Sequence, residues 1–122
     1  MVEYRLAGPA EAQIDDILAW SQDRFGELAR ERYAALLVTA MEDVAADPQQ
    51  AGVSWRWLGQ IDVGLYHIGH SCGHVEEPPG RVGGPRHIVV FRVGPDGIVD
   101  ILGFIHERML LGRALSRVVS GI

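Results

Sequence analysis

Hydrophobic positions along this chain follow two different periods, and the change of period falls near residue 50. Tyr33, Leu36, Leu37, Ala40, Met41 and Val44 recur at steps of three and four, the spacing of one buried helix face. Asp47-Pro48 ends that helix, because a proline disfavours helical backbone in the residue before it. Upstream, Ile14, Ile17, Leu18 and Phe25 fall on one side of a helix running from Pro9 to Phe25, with Glu11, Asp15 and Asp16 near its acidic first turns. Gly26 breaks it. Two helices joined by so few residues fold back as an antiparallel hairpin, which leaves their apolar stripes to cover something else. Ahead of them, Val2 to Ala7 alternates in character and is stopped by Gly8-Pro9, which predicts a first strand.

The second half reads as strands. Gly64 to Cys72, His87 to Val93 and Ile98 to His106 are short runs rich in β-branched and aromatic residues, and Pro95-Asp96-Gly97 supplies a hairpin turn between the last two. Within the last run, ILGFI is apolar on both faces, as a central strand requires. Residues 73–85, rich in glycine and proline, read as a long loop insertion at a hairpin tip. VSWRWLG, with Trp55 and Trp57 around Arg56, reads as a loop that packs its tryptophans on the core or presents them to a partner. Met109 to Val119 predicts a short amphipathic helix packing Leu110, Leu111, Leu115 and Val118, with Arg113 and Arg117 outside. The expected fold class is α+β: an N-terminal strand, an α-helical hairpin, then a three-stranded antiparallel meander forming one sheet packed on the helices, and a short C-terminal helix. The 122 residues suit a single domain, 1–122.

Charge sharpens this outline. The chain carries 16 acidic residues against 11 basic ones, a net charge of −5, which argues against grip on nucleic acid by bulk electrostatics. Residues 9–47 hold nine acids and three arginines, whereas residues 48–122 hold six acids and seven arginines. The mildly basic second half is therefore expected to meet the partners. Every basic residue is arginine, so no lysine is present for proton transfer or phosphate binding. The one cysteine, Cys72, excludes an internal disulfide. The N-terminus lacks a positively charged region followed by an apolar run, and no stretch approaches 18 apolar residues, so a cytoplasmic protein without membrane association is expected.

Histidines offer the remaining chemistry. On a strand of period two, His70, Cys72 and His74 would share one face, a weak candidate for zinc; a polar hairpin tip is the simpler reading. Cys72 stands without a partner motif for nucleophilic catalysis.

Several blocks in order along the chain resemble the ParE branch of the ParE/RelE toxins of bacterial toxin–antitoxin modules. YRLAGPAEAQIDDILAWSQDRFG is similar to that family's opening strand and first helix at Pro9, Ala10, Asp16, Ile17, Trp20, Arg24, Phe25 and Gly26. Arg32-Tyr33 and the Ala46-Asp47-Pro48 helix end continue the likeness. HIVVFRVGPDGIVDILGFIHERM is similar to the family's close through His87, Arg92, His106, Arg108 and Met109. The resemblance implies a toxin that inhibits or poisons DNA gyrase by protein–protein binding and is neutralised by a ParD-like antitoxin, with no cofactor, no metal, no catalytic residues and no sequence-specific nucleic-acid binding. Partner-binding candidates are Trp55, Arg56, Trp57, Arg92, His106, Arg108, Met109, Arg113 and Arg117. The RelE-like cousins imply an alternative, a ribosome-dependent mRNA endoribonuclease with Arg92, His106 and Arg108 as transition-state clamp, acid/base and phosphate binder. A scaffold that binds its antitoxin without toxicity is the third reading.

Overall fold

The structure, a computed structural model, describes residues 3–109 and 111–119. Val2, expected in the first strand, and Leu110, expected to pack, lie outside the described residues, as does the Leu111 side chain.

Strand β1 (Tyr4–Leu6) leads through Ala7 into helix α1 (Gly8–Phe25), which takes Pro9 in its first turn, where a missing N–H costs nothing. Helix α2 (Glu27–Ala46) follows after one residue. That residue is Gly26, at φ 94° and ψ 179°, a conformation open to glycine and strained for any side chain. Its N–H closes α1 on the Gln22 carbonyl at 2.9 Å and its carbonyl receives the Arg30 N–H at 3.2 Å, so one glycine serves both helix ends. The α2 stripe is buried as its spacing predicts: Tyr33, Leu36, Leu37, Ala40, Met41 and Val44 all face the core. Phe25 departs from the α1 stripe. It is 68% exposed at the last position of the helix, where its ring meets Trp20 edge to face at 5.9 Å.

The sheet has five strands in the order β1-β5-β4-β3-β2, one strand more than the expected N-terminal strand and three-stranded meander. The addition is β2 (Val53–Trp57), expected as a loop, which pairs antiparallel with β3 (Asp62–His67) and forms one edge. Trp55 lies opposite Gly64, and Gly64 lies opposite Phe91 of β4 (His87–Val93). The Trp55 and Phe91 rings meet edge to face at 5.5 Å, over a position where a Cβ would drive into the Phe91 ring. β1 forms the other edge, parallel to β5 (Val99–His106).

The strand expected from Gly64 to Cys72 stops at His67. A 3-10 helix (Ile68–His74) replaces its second half, because the His67 ring accepts the Gly69 N–H at 3.0 Å and turns the chain. Ser71 donates to Asp43 of α2 at 2.5 Å, and His74 Nδ1 sits 2.8 Å from the same carboxylate, fixing this turn against the hairpin.

Both faces of the sheet are covered. The α1–α2 hairpin packs on one face, over Tyr66, Val89, Phe91, Val99, Ile101 and Phe104. Helix α3 (Leu111–Val119) packs Ala114, Leu115 and Val118 on the opposite face, over Val63, Leu65, Val90, Leu102 and Ile105. The strand ILGFI serves both because successive side chains point to opposite faces, and a bulge in β5 at Leu102, opposite Val90 and Phe91, shifts the phase so that Ile101 and Phe104 share the hairpin face. The Gln13 side chain of α1 reaches into the bulge and accepts the Phe104 N–H at 2.7 Å. Among the described residues no helix is long and apolar enough to cross a membrane.

Candidate functional site

The sheet pairing places the sequence candidates at two distant ends. Arg92 lies opposite Asp100 and His87 lies opposite His106, five residues apart along β4. At roughly 3.4 Å per residue that separation is about 17 Å, and alternation puts Arg92 and His106 on opposite faces. Arg92 is held by Asp100 at 3.2 Å. Asp100 also takes Arg5 at 2.6 Å, and Arg5 continues to Asp96 at 2.7 Å, so three strands and a turn are tied by one row of charges. The arginines hold the Asp100 carboxyl below its ordinary range, Arg5 more than Arg92. Arg92 is a structural ion-pair partner here and does not join His106 and Arg108 around one phosphate.

His106 and Arg108 do come together, at the other end. The floor beneath them is a chain of rings: Trp20 against His87 at 6.2 Å, Tyr33 against His87 at 5.6 Å and His87 against His106 at 5.4 Å, all edge to face. The Tyr33 hydroxyl accepts the Arg86 N–H at 3.1 Å and donates to His87 Nδ1 at 2.6 Å. With the hydroxyl proton assigned to that bond, Nδ1 accepts in the neutral Nε2–H tautomer, the form that burial favours. Burial, reinforced by His106 and then His67, lowers its pKa from 6.5 to about 4. His106 Nδ1 likewise accepts, from the Arg108 N–H at 3.1 Å. Beside this chain Glu107 bridges Arg86 and His67, each at 2.8 Å, and those two hydrogen bonds bring its pKa down to about 2.

Above the rings opens a groove of about 490 Å³ between the hairpin tip, residues 81–86 and the end of β5. Trp20, Phe25, Leu28 and Val82 give it apolar walls, and Arg32, Arg81, Arg86 and Arg108 bring guanidinium groups to it. The loop 73–85 walls it because it is tied down: Arg32 Nε donates to the Pro79 carbonyl at 2.8 Å, and the Cys72 thiol faces the Val82 carbonyl at 3.7 Å. Of the groove's residues, sequence reading singled out only His106 and Arg108 as site candidates. The apolar pair Phe25 and Leu28, flanking a helix-breaking glycine, was the signal available for the rest.

The other candidates are dispersed. Trp55 is half-buried on the core, whereas Trp57 is 64% exposed at the β2 edge with Arg56 on the opposite side of the strand. Met109 is 52% exposed beside the groove end of β5. Arg113 and Arg117 lie on the outer side of α3. His70, Cys72 and His74 do not share a strand face, since they occupy the 3-10 helix: the His70 ring leans on Tyr66, Cys72 is buried and His74 faces Asp43. Among the described residues no group of three His, Cys, Asp or Glu side chains is disposed to hold a metal ion.

Known proteins match the chain over most of its length. The family model described as "ParE toxin of type II toxin-antitoxin system, parDE" matches residues 4–111. Proteins named Toxin ParE1 from two strains of Mycobacterium tuberculosis are 25% identical over 112 residues, covering 92% of this chain and 96% of theirs. Toxin ParE1 of Caulobacter vibrioides is 30% identical over 109 residues, covering 89% of this chain and 93% of its own. With the match running from β1 into the start of α3, the chain belongs to the ParE toxin family of type II toxin–antitoxin systems.

Proposed function

We propose that this protein, acting as one domain over residues 1–122, is a cytoplasmic toxin that inhibits or poisons DNA gyrase by binding it, and that a ParD-like antitoxin silences it. The observation that carries the reading is the family match over residues 4–111. Its non-enzymatic character is supported by the separation of the ribonuclease trio: Arg92 is committed to Asp100 on one face, and His106 stands on the other with no lysine in the chain to assist it. Acid–base cleavage of RNA needs its base, acid and cation within hydrogen-bond reach of one phosphate. The endoribonuclease alternative retains one observation in its favour, the convergence of His106, Arg108, Arg81 and Arg86 at the groove.

Induced expression in a host lacking the antitoxin separates the readings. Growth arrest with relaxed or cleaved DNA and intact mRNA is the expected result. Arrest with cleaved mRNA and normal supercoiling would establish the ribonuclease instead. Unimpaired growth would indicate a scaffold that binds an antitoxin without toxicity.

A further inference from the structure

The sheet ends in two edges, and they are not alike. β1 is three residues long and holds Arg5, tied to Asp96 and Asp100, so it offers little backbone to another strand. β2 offers five residues without a proline or a break in register. Its hydrogen-bond phase is set by the turn into β3. The Leu58 N–H donates to the Ile61 carbonyl at 2.9 Å, so Arg56 with Val63 and Ser54 with Leu65 are the pairs that bond inward. Val53, Trp55 and Trp57 alternate with them and turn their backbone groups to the open side. The Gln50 carbonyl takes the Val53 N–H there at 3.0 Å. Among the described residues nothing meets the Val53 carbonyl or the N–H and C=O groups of Trp55 and Trp57. The Trp57 ring, 64% exposed, stands at the same edge.

This row is complementary to itself. Turned about a two-fold axis at Trp55, two β2 strands exchange both backbone bonds between their Trp55 residues, and the Trp57 N–H of each donates to the free Val53 carbonyl of the other. Each Trp57 ring then lies beside Val53 of the opposite copy, and each Arg56 lies beside Ser54. Other centres fit less well. Centring on Arg56 sets the two guanidinium groups directly opposite one another, and centring on Ser54 calls on the Val53 N–H that Gln50 already holds. We propose that two copies of this chain pair edge to edge through β2, antiparallel and centred on Trp55, joining their sheets into one. The contact is small, a strand and its flanking rings, and belongs with weak, concentration-dependent interfaces. It stands independently of the gyrase reading.

The full chain is followed by sedimentation velocity from about 1 µM to 1 mM, the range suited to an interface of this size. Monomer gives way to dimer as concentration rises. Residue-resolved amide exchange shows Trp55 and Trp57 gaining protection with it, while Ser54 and Arg56, already bonded to β3, stay unchanged. Trp57→Pro, which removes only an outward donor, and Ser54→Lys, which faces Arg56 of the other copy, each raise the dimer Kd by about fivefold or more; Ser54→Glu lowers it by about threefold or more. Opposite effects of the two charges at one exposed site separate pairing from loss of folding. A chain that stays monomeric at the top of that range overturns the proposal, as does a dimer indifferent to all three substitutions. Toxin that is monomeric alone and gains protection at Trp55 and Trp57 only when the product of the adjacent reading frame is added gives the edge to that protein's strand, and equally overturns the second copy.

Discussion

His87 is a buried histidine used as a hydrogen-bond acceptor, and its neighbours make protonation unfavourable. Tyr33 donates into its ring, and His106 packs against it as a second base. The sign of the pH effect follows. The folded protein holds this ring at about 4 against 6.5 in the unfolded chain, so between those values the unfolded state binds more protons. Stability from His87 is complete above pH 6.5 and falls as the pH drops toward 4, by about 3 kcal/mol at most. Glu107, depressed to about 2 by Arg86 and His67, adds a loss of the same direction below its ordinary 4.5. Urea unfolding between pH 4 and 7 should show this slope, and His87→Gln should flatten its upper part. Tyr33→Phe strands the Arg86 N–H and the His87 nitrogen together and should cost about 1–3 kcal/mol in the same assay at pH 7. None of this was legible in the chain: Tyr33 and His87 lie 54 residues apart, and periodicity marked Tyr33 only as a core position.

Helix α3 makes the sheet a middle layer. The amphipathic pattern from Met109 to Val119 predicted the helix and the burial of Leu115 and Val118, and the doubly apolar ILGFI run predicted a covered central strand. Which layer meets which was not legible, because bulges and strand order depend on pairing between distant segments. Leu115→Ala should destabilise the fold by about 3 kcal/mol, read as a shift in the urea midpoint, since this side chain is 1% exposed against Val63, Val90 and Ile105. β2 escaped notice because its five residues alternate tryptophan with serine and arginine, a pattern equally suited to a recognition loop. The strand forms once β3 offers a free edge and Phe91 offers a ring for Trp55. Gly26→Val should shorten α1 or separate the two helices, lowering the melting temperature by several degrees, because a β-branched residue cannot hold φ 94°.

Over the full chain, sequence and structure divide the charges in the same way but for different reasons. The acidic helices and the arginine-bearing second half were visible in composition, yet two arginines of that half are spent internally, Arg92 on Asp100 and Arg86 on Glu107, and Arg5 of β1 joins Arg92 on Asp100. What remains outward is divided between the groove, where Arg81 and Arg108 stand, the outer side of α3 at Arg113, and the β2 edge at Arg56. That distribution suits a protein that works by docking, and the separated Arg92 and His106 give no assembled catalytic trio. The most direct measurement is a supercoiling assay with purified gyrase, relaxed plasmid and ATP, titrated with the purified toxin and then with the adjacent antitoxin. Supercoiling should fall, or linear DNA accumulate, at toxin concentrations comparable to gyrase, and one equivalent of antitoxin should restore it. Full-rate supercoiling with intact plasmid at a large molar excess of folded toxin would contradict the account.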